Sequence, residues 1–509
     1  MIQLKLRHLS ALLWCASVLV SLRPAGAAEA NATAITIYSS QQPGAISADL
    51  YRPVPGGSVP AASDVPGYAL VRVDRSVQLA AGRATLRFDD VAALIDPTTV
   101  TFSVPAEPAV RVLEQNFQFD LVSSAKLLQR YVDKTVSVER RDGGNVSTTS
   151  GTLLSATDGL VLRDASGNIH ALHDYSSIRF PELPGGLITQ PTLLWDLDVP
   201  TAGTKRARVT YQTGGVTWWA DYNLIFSEGK DANSGLIDLS AWVSIINQSG
   251  ASYENARLKL VAGEVHRAEA PQRVPRSGVV MMTAEKRSDG FTEQGFDEFH
   301  LYTLGRPATL PNNSTKQLEL FDRARQIPAQ RELVYNALQD PGFGSPYTER
   351  EPGVAVNTSV ATNLVFRNDA KSSLGMPLPA GRVRVARIDA ADGSLEFIGE
   401  DVIAHTPKDE TVRLRLGNAF DVVGERRQTD FRIDTGGKWM EEQIEIRLRN
   451  HKSEPVSVQV VEPLYRWSNW QVLKSSQAYE KDSARQIHFA VAVPRDGESV
   501  LTYRVRYSW

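Results

Sequence analysis

The chain has 509 residues, with 55 lysines and arginines against 58 aspartates and glutamates, for a formal net charge of −3. Such a balance exerts no general pull toward nucleic acid or an anionic lipid surface. The single cysteine, Cys15, lies in the first segment, so the rest of the chain excludes disulfides, cysteine-zinc sites and a cysteine nucleophile.

That first segment reads MIQLKLRHLSALLWCASVLVSLRPAGAAEA. Lys5 and Arg7 precede an apolar stretch from Leu9 to Leu22, and Ala25-Gly26-Ala27 follows it. This is the layout of a secretory signal peptide over 1–27, cleaved near Ala27. The stretch is shorter than the roughly 20 residues that a membrane span needs. Cleavage takes three of the 55 cations and none of the 58 acids, so the processed chain is more acidic. The expectation is an extracytoplasmic protein, periplasmic or secreted. It has no integral membrane span and is held by its own core.

Strand patterns dominate the rest of the chain. YALVRVDRSVQL (68–79), VTFSV (100–104) and VRVLEQNFQFDL (110–121) are rich in β-branched and aromatic residues and are punctuated by Gly, Pro and Asp turns. They predict an N-terminal β-sandwich over 28–122. SSAKLLQRYV (123–132) predicts a short helix, serine-capped, with Leu127, Leu128, Tyr131 and Val132 at helical spacing. KTVSVER, SGTLLSA, GLVLRD, NIHALHD and SSIRF then form a five-strand meander whose turn spacing predicts a small Sm-like or SH3-like barrel. Helix and barrel occupy 123–183. A proline- and glycine-rich linker leads into a C-terminal antiparallel β-sandwich region over 184–509. In EQIEIRLRN, Ile444, Ile446 and Leu448 face one way and Glu445, Arg447 and Arg449 the other. A charged, proline-containing interval predicts a long mobile loop over 266–298. The whole reads as a multidomain all-β protein.

YQTGGVTWWADYNL (211–224) concentrates rings and a carboxylate. Strand alternation puts Trp218, Ala220 and Tyr222 on one face and Thr217, Trp219 and Asp221 on the other. The bland reading is a core anchor, Trp218, beside a covering ring. The functional reading makes Tyr211, Trp219 and Asp221 a sugar-stacking or peptide-binding patch. PLYRWSNW adds Tyr465, Trp467 and Trp470 as a second aromatic group that either extends this platform or plugs a sandwich edge.

VTYQTGGVTWWADYNLIF resembles the start of the family named domain of unknown function 4139, some of whose members are called mucoidy inhibitor-like. Tyr211, Trp218 and Tyr222 match its pattern, and Ala220 stands where a proline is usual. IDLSAWVSIINQSGASYENARLKLVAGEV (237–265) and FHLYTLGRPATLPNNSTKQLELF (299–321) are similar to later blocks. The segment 68–102 is similar to the partner domain that usually precedes them. The resemblance implies a β-rich fold and no agreed activity. Many relatives carry a long coiled coil between the two β regions, where this chain has its meander.

Reactive motifs are absent from the linear sequence: no nucleophile elbow, HExxH, Walker loop or dinucleotide fingerprint occurs. His170 and His173, three apart on a strand, point to opposite faces. Acid pairs such as Glu441-Glu442 and Asp409-Glu410 flank alternating strands and read as solvated faces. No catalytic residue, metal or cofactor is assigned. The terminal LTYRVRYSW fits either a lipid-facing strand of an outer-membrane barrel or a last sandwich strand. The expectation is a non-catalytic binding or envelope-scaffold protein whose partner is an envelope protein or glycan and not nucleic acid. The alternatives are a carbohydrate-binding protein using Trp219, Trp467 and Trp470, and a hydrolase built from dispersed carboxylates.

Overall fold

A computed structural model describes residues 31–39, 46, 48–51, 61–142, 145–231, 233–263, 291–296, 299–338, 342, 344–350, 356–389 and 391–509. The leader expected over 1–27 lies outside the described residues. Strands make up 65% of the chain, and among the described residues the one α-helix is Ser124–Arg130. The fold is multidomain and all-β. Among the described residues, no helix is long and apolar enough to cross a membrane.

An eight-stranded sheet places Ala32–Tyr38 between Tyr253–Ala262, to which it is parallel, and Tyr68–Leu79, to which it is antiparallel. Gly203–Thr213 and Ile95–Ser103 extend it on one side, Phe299–Leu304 and Phe291–Phe296 on the other. Gly82–Phe88, Thr192–Val199 and Arg111–Gln118 form a three-stranded sheet. The sheets therefore cross the boundaries expected at 122 and 184: strands from beyond residue 200 complete the N-terminal sheet. Alternation reports which way a side chain points and carries no information about which strand lies alongside.

A thirteen-stranded sheet, whose strands fall between residues 216 and 508, has Leu395–Ile403 and Trp470–Ser475 at the two ends of its main path. Two of its strands, Ser314–Asn336 and Thr411–Asp434, pass through both large cores. Leu320, Ile327 and Leu414 join Trp195, Tyr211 and Trp218 in the first core. Leu333, Tyr335 and Val422 join Ile444, Phe489 and Tyr507 in the second. Within Ser314–Asn336 the buried positions change from even (Leu318, Leu320, Ala324) to odd (Ile327, Ala329, Leu333, Tyr335). The change falls at Gln326, whose φ of 56° marks a bulge where Leu239 pairs Ala324 and Ile237 pairs Ile327. One extra residue flips every later side chain to the other face.

The meander forms its five strands in the order Ser177–Arg179, Thr135–Asp142, Asn145–Ser155, Leu160–Arg163, Ile169–Leu172, around Val136, Val138, Leu153 and Leu162. The sheet stays open, which corrects the expected barrel closure: its two edge strands have three and four residues and do not pair with each other. The helix docks through Tyr131, whose hydroxyl donates to the Glu182 carbonyl at 2.6 Å.

The expected loop over 266–298 is corrected in its last part. Phe291–Phe296 is a strand paired with Phe299–Leu304, and it is anchored by buried Phe291. Residues 264–290 lie outside the described residues. The terminal strand turns Leu501, Tyr503, Val505 and Tyr507 into the second core, while Arg504 donates to Asp430 at 2.8 Å and Arg506 to Glu441 at 2.8 Å. Its apolar face meets protein, as the sandwich reading requires.

Trp218 is 1% exposed and Trp219 half-buried, so the adjacent rings divide between core and cover. Trp218 donates Nε1–H to the Val261 carbonyl at 3.2 Å and meets Tyr302 edge-on, tying the two large sheets together. Trp218→Ala is expected to lower unfolding free energy by about 3–5 kcal/mol, read by urea denaturation, because the cavity sits between sheets that cannot collapse onto it.

Candidate functional site

Along Tyr68–Leu79 and Gly203–Thr213, the side chains of Val73, Arg75 and Tyr211 project from one face of the eight-stranded sheet. There they meet Asn31, Asp90, Gln190 and the turn Gly250–Asn255, enclosing a cleft of about 620 Å³. Tyr211 lies at its floor, 1% exposed. Its hydroxyl interacts with that of Tyr253, which sits 2.9 Å from Ser249 Oγ; Ser249 Oγ in turn donates to Asn247 Oδ1 at 2.8 Å. Burial pushes the Tyr253 phenol up to about 12, against its bonds to Ser249 and Tyr211, and pushes Tyr211 well above its ordinary value. Both remain neutral hydrogen-bonding groups near neutral pH.

Arg75 lays its guanidinium over the Phe88 ring at 4.2 Å, and its buried Nε has no hydrogen-bond partner among the described residues. A buried donor without a partner carries a desolvation cost. Asp90 and Asn255 hold left-handed backbone (φ 63° and 46°) on the same rim. Non-glycine residues in this region concentrate at binding sites.

The other aromatic and acidic candidates do not gather here. Trp219 packs against Tyr51 at 5.4 Å, in a small cluster with Ile46, Val65 and Ile246 that leaves its ring half-buried. Asp221 is buried and accepts from Ser244 Oγ at 2.7 Å and Arg384 Nη1 at 3.3 Å. Tyr465 is buried and Trp467 packs on the second core. Trp470 donates to the Ala484 carbonyl at 2.7 Å, with the Lys481 ammonium 5.0 Å from its ring centre. Of the six, Tyr211 alone lines this cleft.

Beside Tyr465 lies a constellation that the sequence reading missed. Glu442 and Glu462 are 1% and 0% exposed, which corrects the expectation that Glu441-Glu442 is a solvated pair. Glu462 accepts from Arg426 Nε at 2.9 Å and from the Tyr503 hydroxyl at 2.5 Å. Glu442 accepts from Arg466 Nε at 2.9 Å, Gln428 Nε2 at 2.9 Å and the Tyr507 hydroxyl at 3.1 Å. The remaining Arg466 nitrogens donate to the carbonyls of Tyr347, Glu349 and Arg350 at 3.1, 2.6 and 2.8 Å. A signal was present: Glu442 shares the parity of Met440, Ile444 and Ile446, and Glu462 that of Val456, Val458 and Val460. A carboxylate in an apolar register must find a cation inside. Two acids matched by two guanidinium groups and closed from solvent act as a strut between strands.

His170 sits 2.8 Å from Asp164, whose carboxyl is held down at about 2, chiefly by that contact and by Asn168. Among the described residues, no group of three or more His, Cys, Asp and Glu is placed to hold a metal ion. No family model matches the chain, and neither a curated protein nor a solved structure matches it.

The strut has two measurable consequences. Arg466→Met strands Glu442 in the core and is expected to cost about 3–5 kcal/mol in urea denaturation, with part of the loss regained when Glu442→Leu is added. Burial, reinforced by Glu462 for Tyr503 and Glu442 for Tyr507, raises both phenols well above their ordinary value. Because the unfolded phenol titrates near about 10, the stability they confer is complete below that pH and falls as pH climbs toward the folded value. In an alkaline titration followed by phenolate absorbance, these tyrosines should ionise only together with unfolding.

Proposed function

We propose that this is an extracytoplasmic, non-catalytic binding protein of the cell envelope, released from its leader near Ala27, and that the cleft over Tyr211 receives a neutral, hydroxyl-rich ligand of the glycan class. The observation that carries the reading is the cleft itself. A floor of hydrogen-bonded tyrosines is ringed by amide, carboxylate and guanidinium groups from Asn31, Gln190, Asp90, Glu254 and Arg75. Planar amides and carboxylates pair with neighbouring hydroxyls, and a few convergent polar groups around an apolar floor fix a ligand's orientation.

The resemblance to the domain of unknown function 4139 family belongs to the same proposal and rests on Tyr211, Trp218, Tyr222 and the ordered blocks around them. The hydrolase alternative asks for two acids facing an open cleft. Asp90 and Glu254 both border the cleft over Tyr211 and are the pair that reading would use, whereas Glu442 and Glu462 are each tied to an arginine in the second core. Binding by Trp219, Trp467 and Trp470 is less favoured, because those rings are packed and half-buried.

Neutral oligosaccharides arrayed on a surface provide the test. The full chain is expected to bind a subset of them. Arg75→Met and Gln190→Ala should each weaken that binding about tenfold or more, the loss of roughly one well-placed polar contact. Trp219→Ala and Trp470→Ala should leave it unchanged. Binding that survives both cleft variants, or fails only with the tryptophan variants, removes this site.

A further inference from the structure

The strands that line the tyrosine cleft with odd-numbered residues send their even-numbered residues to the other side of the sheet, and there the chemistry is different. We infer that this opposite face carries a second binding site, one for a compact ligand bearing two or more oxyanion groups.

A cleft of about 510 Å³ lies over Ala32 and Ala34, walled by Arg72, Arg206, Arg208 and Arg257. The register explains its shape. Ala34 pairs with Arg257 on one side and Arg72 on the other, so these two arginines stand two strand spacings apart, roughly 10 Å, across an alanine floor. Arg208 pairs with Asp74, and Arg206 lies two residues along the same strand.

Among the described residues Asp74 is the only acid lining the cleft, and it is 7% exposed. It accepts from Arg208 Nε at 2.7 Å and Nη2 at 3.2 Å, the two-pronged geometry that guanidinium offers a carboxylate. Arg72 stands 3.8 Å away. Counting only Arg72, Arg208 and Arg257, three guanidinium groups face the one carboxylate of Asp74 and leave a local surplus of positive charge among the described residues, on a chain whose net charge is negative. Arg257 is exposed and forms no ion pair among the described residues. Arg72 and Arg208 keep 43% and 41% of their side chains accessible.

Like charges gathered this closely repel one another unless a counter-charge enters. A single carboxylate such as acetate would meet one fork and leave the others unanswered. Two or three charges on one small framework span the distance from Arg257 to Arg72. Neutral sugars gain nothing from this surplus, which separates this ligand from that of the tyrosine cleft. The two proposals therefore stand or fall apart.

The test is calorimetric titration of the full chain with inorganic pyrophosphate, citrate and acetate. Pyrophosphate, citrate or both should bind at least about tenfold more tightly than acetate, and should weaken several-fold as salt rises from roughly 20 to roughly 300 mM, as screening shortens the reach of exposed charges. If pyrophosphate alone binds, the site selects phosphates; if citrate alone binds, it selects carboxylates. Arg257→Ala and Arg72→Gln should each weaken binding about tenfold, while Arg75→Met, on the opposite face, leaves it unchanged. Circular dichroism of each variant confirms folding, and Arg257, with no internal ion partner, should tolerate replacement. No binding of either polyanion, equal binding of acetate, or polyanion binding unaffected by both arginine variants overturns the proposal.

Discussion

Two strands of 23 and 24 residues, Ser314–Asn336 and Thr411–Asp434, bind the molecule together, because each contributes apolar side chains to both large cores. A strand that long must keep its side-chain phase correct over two separate interiors. The phase is reset by the bulge at Gln326, where burial changes parity. Without that reset, the residues aimed into the second core, Leu333 and Tyr335 among them, would face the wrong side. The positions of Trp218, of the terminal strand and of the buried ion pairs all depend on this shared backbone.

The same alternation gives one sheet two chemistries. On Gly203–Thr213, Ala207, Val209 and Tyr211 face inward, while Arg206 and Arg208 face the basic cleft. Asp74 holds one of these arginines in place and is itself held below its ordinary carboxyl value, first by the Arg208 bond and then by the charges of Arg208, Arg72 and Arg206 against the cost of its burial. In the second core the charge is balanced instead of left over. Glu442 pairs with Arg466 and Glu462 with Arg426, and Tyr507, Tyr503 and the carbonyls of Tyr347, Glu349 and Arg350 add further bonds, while Arg426 Nη2 and the Tyr465 hydroxyl have no hydrogen-bond partner among the described residues. Burying such pairs contributes little net stability, but removing one member is costly.

Much of the fold was legible because period-two patterning is local. The alternation at 68–79, the serine-capped helix, the meander and the division of labour between Trp218 and Trp219 all arise from residues within a few positions of one another. The candidate clefts were less legible. Tyr211 was marked by its neighbours, but its cleft draws on Asn31, Asp90, Gln190 and Tyr253, which come from four distant segments. The basic cleft is assembled from Arg72, Arg206 and Arg257, each of which looks like an ordinary wet-face cation when its strand is read singly. The second aromatic group, Tyr465 to Trp470, read as a platform because rings attract attention. The structure seats those rings on or in the second core, where their area is removed from water.

The sequence by itself determined where strands run, which side chains share a face, and that a chain whose one cysteine lies near its start is held together without disulfides. Tertiary structure alone decided that the first strand lies beside Tyr253–Ala262, that the meander's sheet stays open, and that Glu442 is enclosed while Glu445 is not fully buried. The reason is that side-chain direction is set by the backbone of each residue, whereas strand partnership is set by contacts between residues such as Ala34 and Arg257, far apart along the chain and indistinguishable in pattern from many rival pairings.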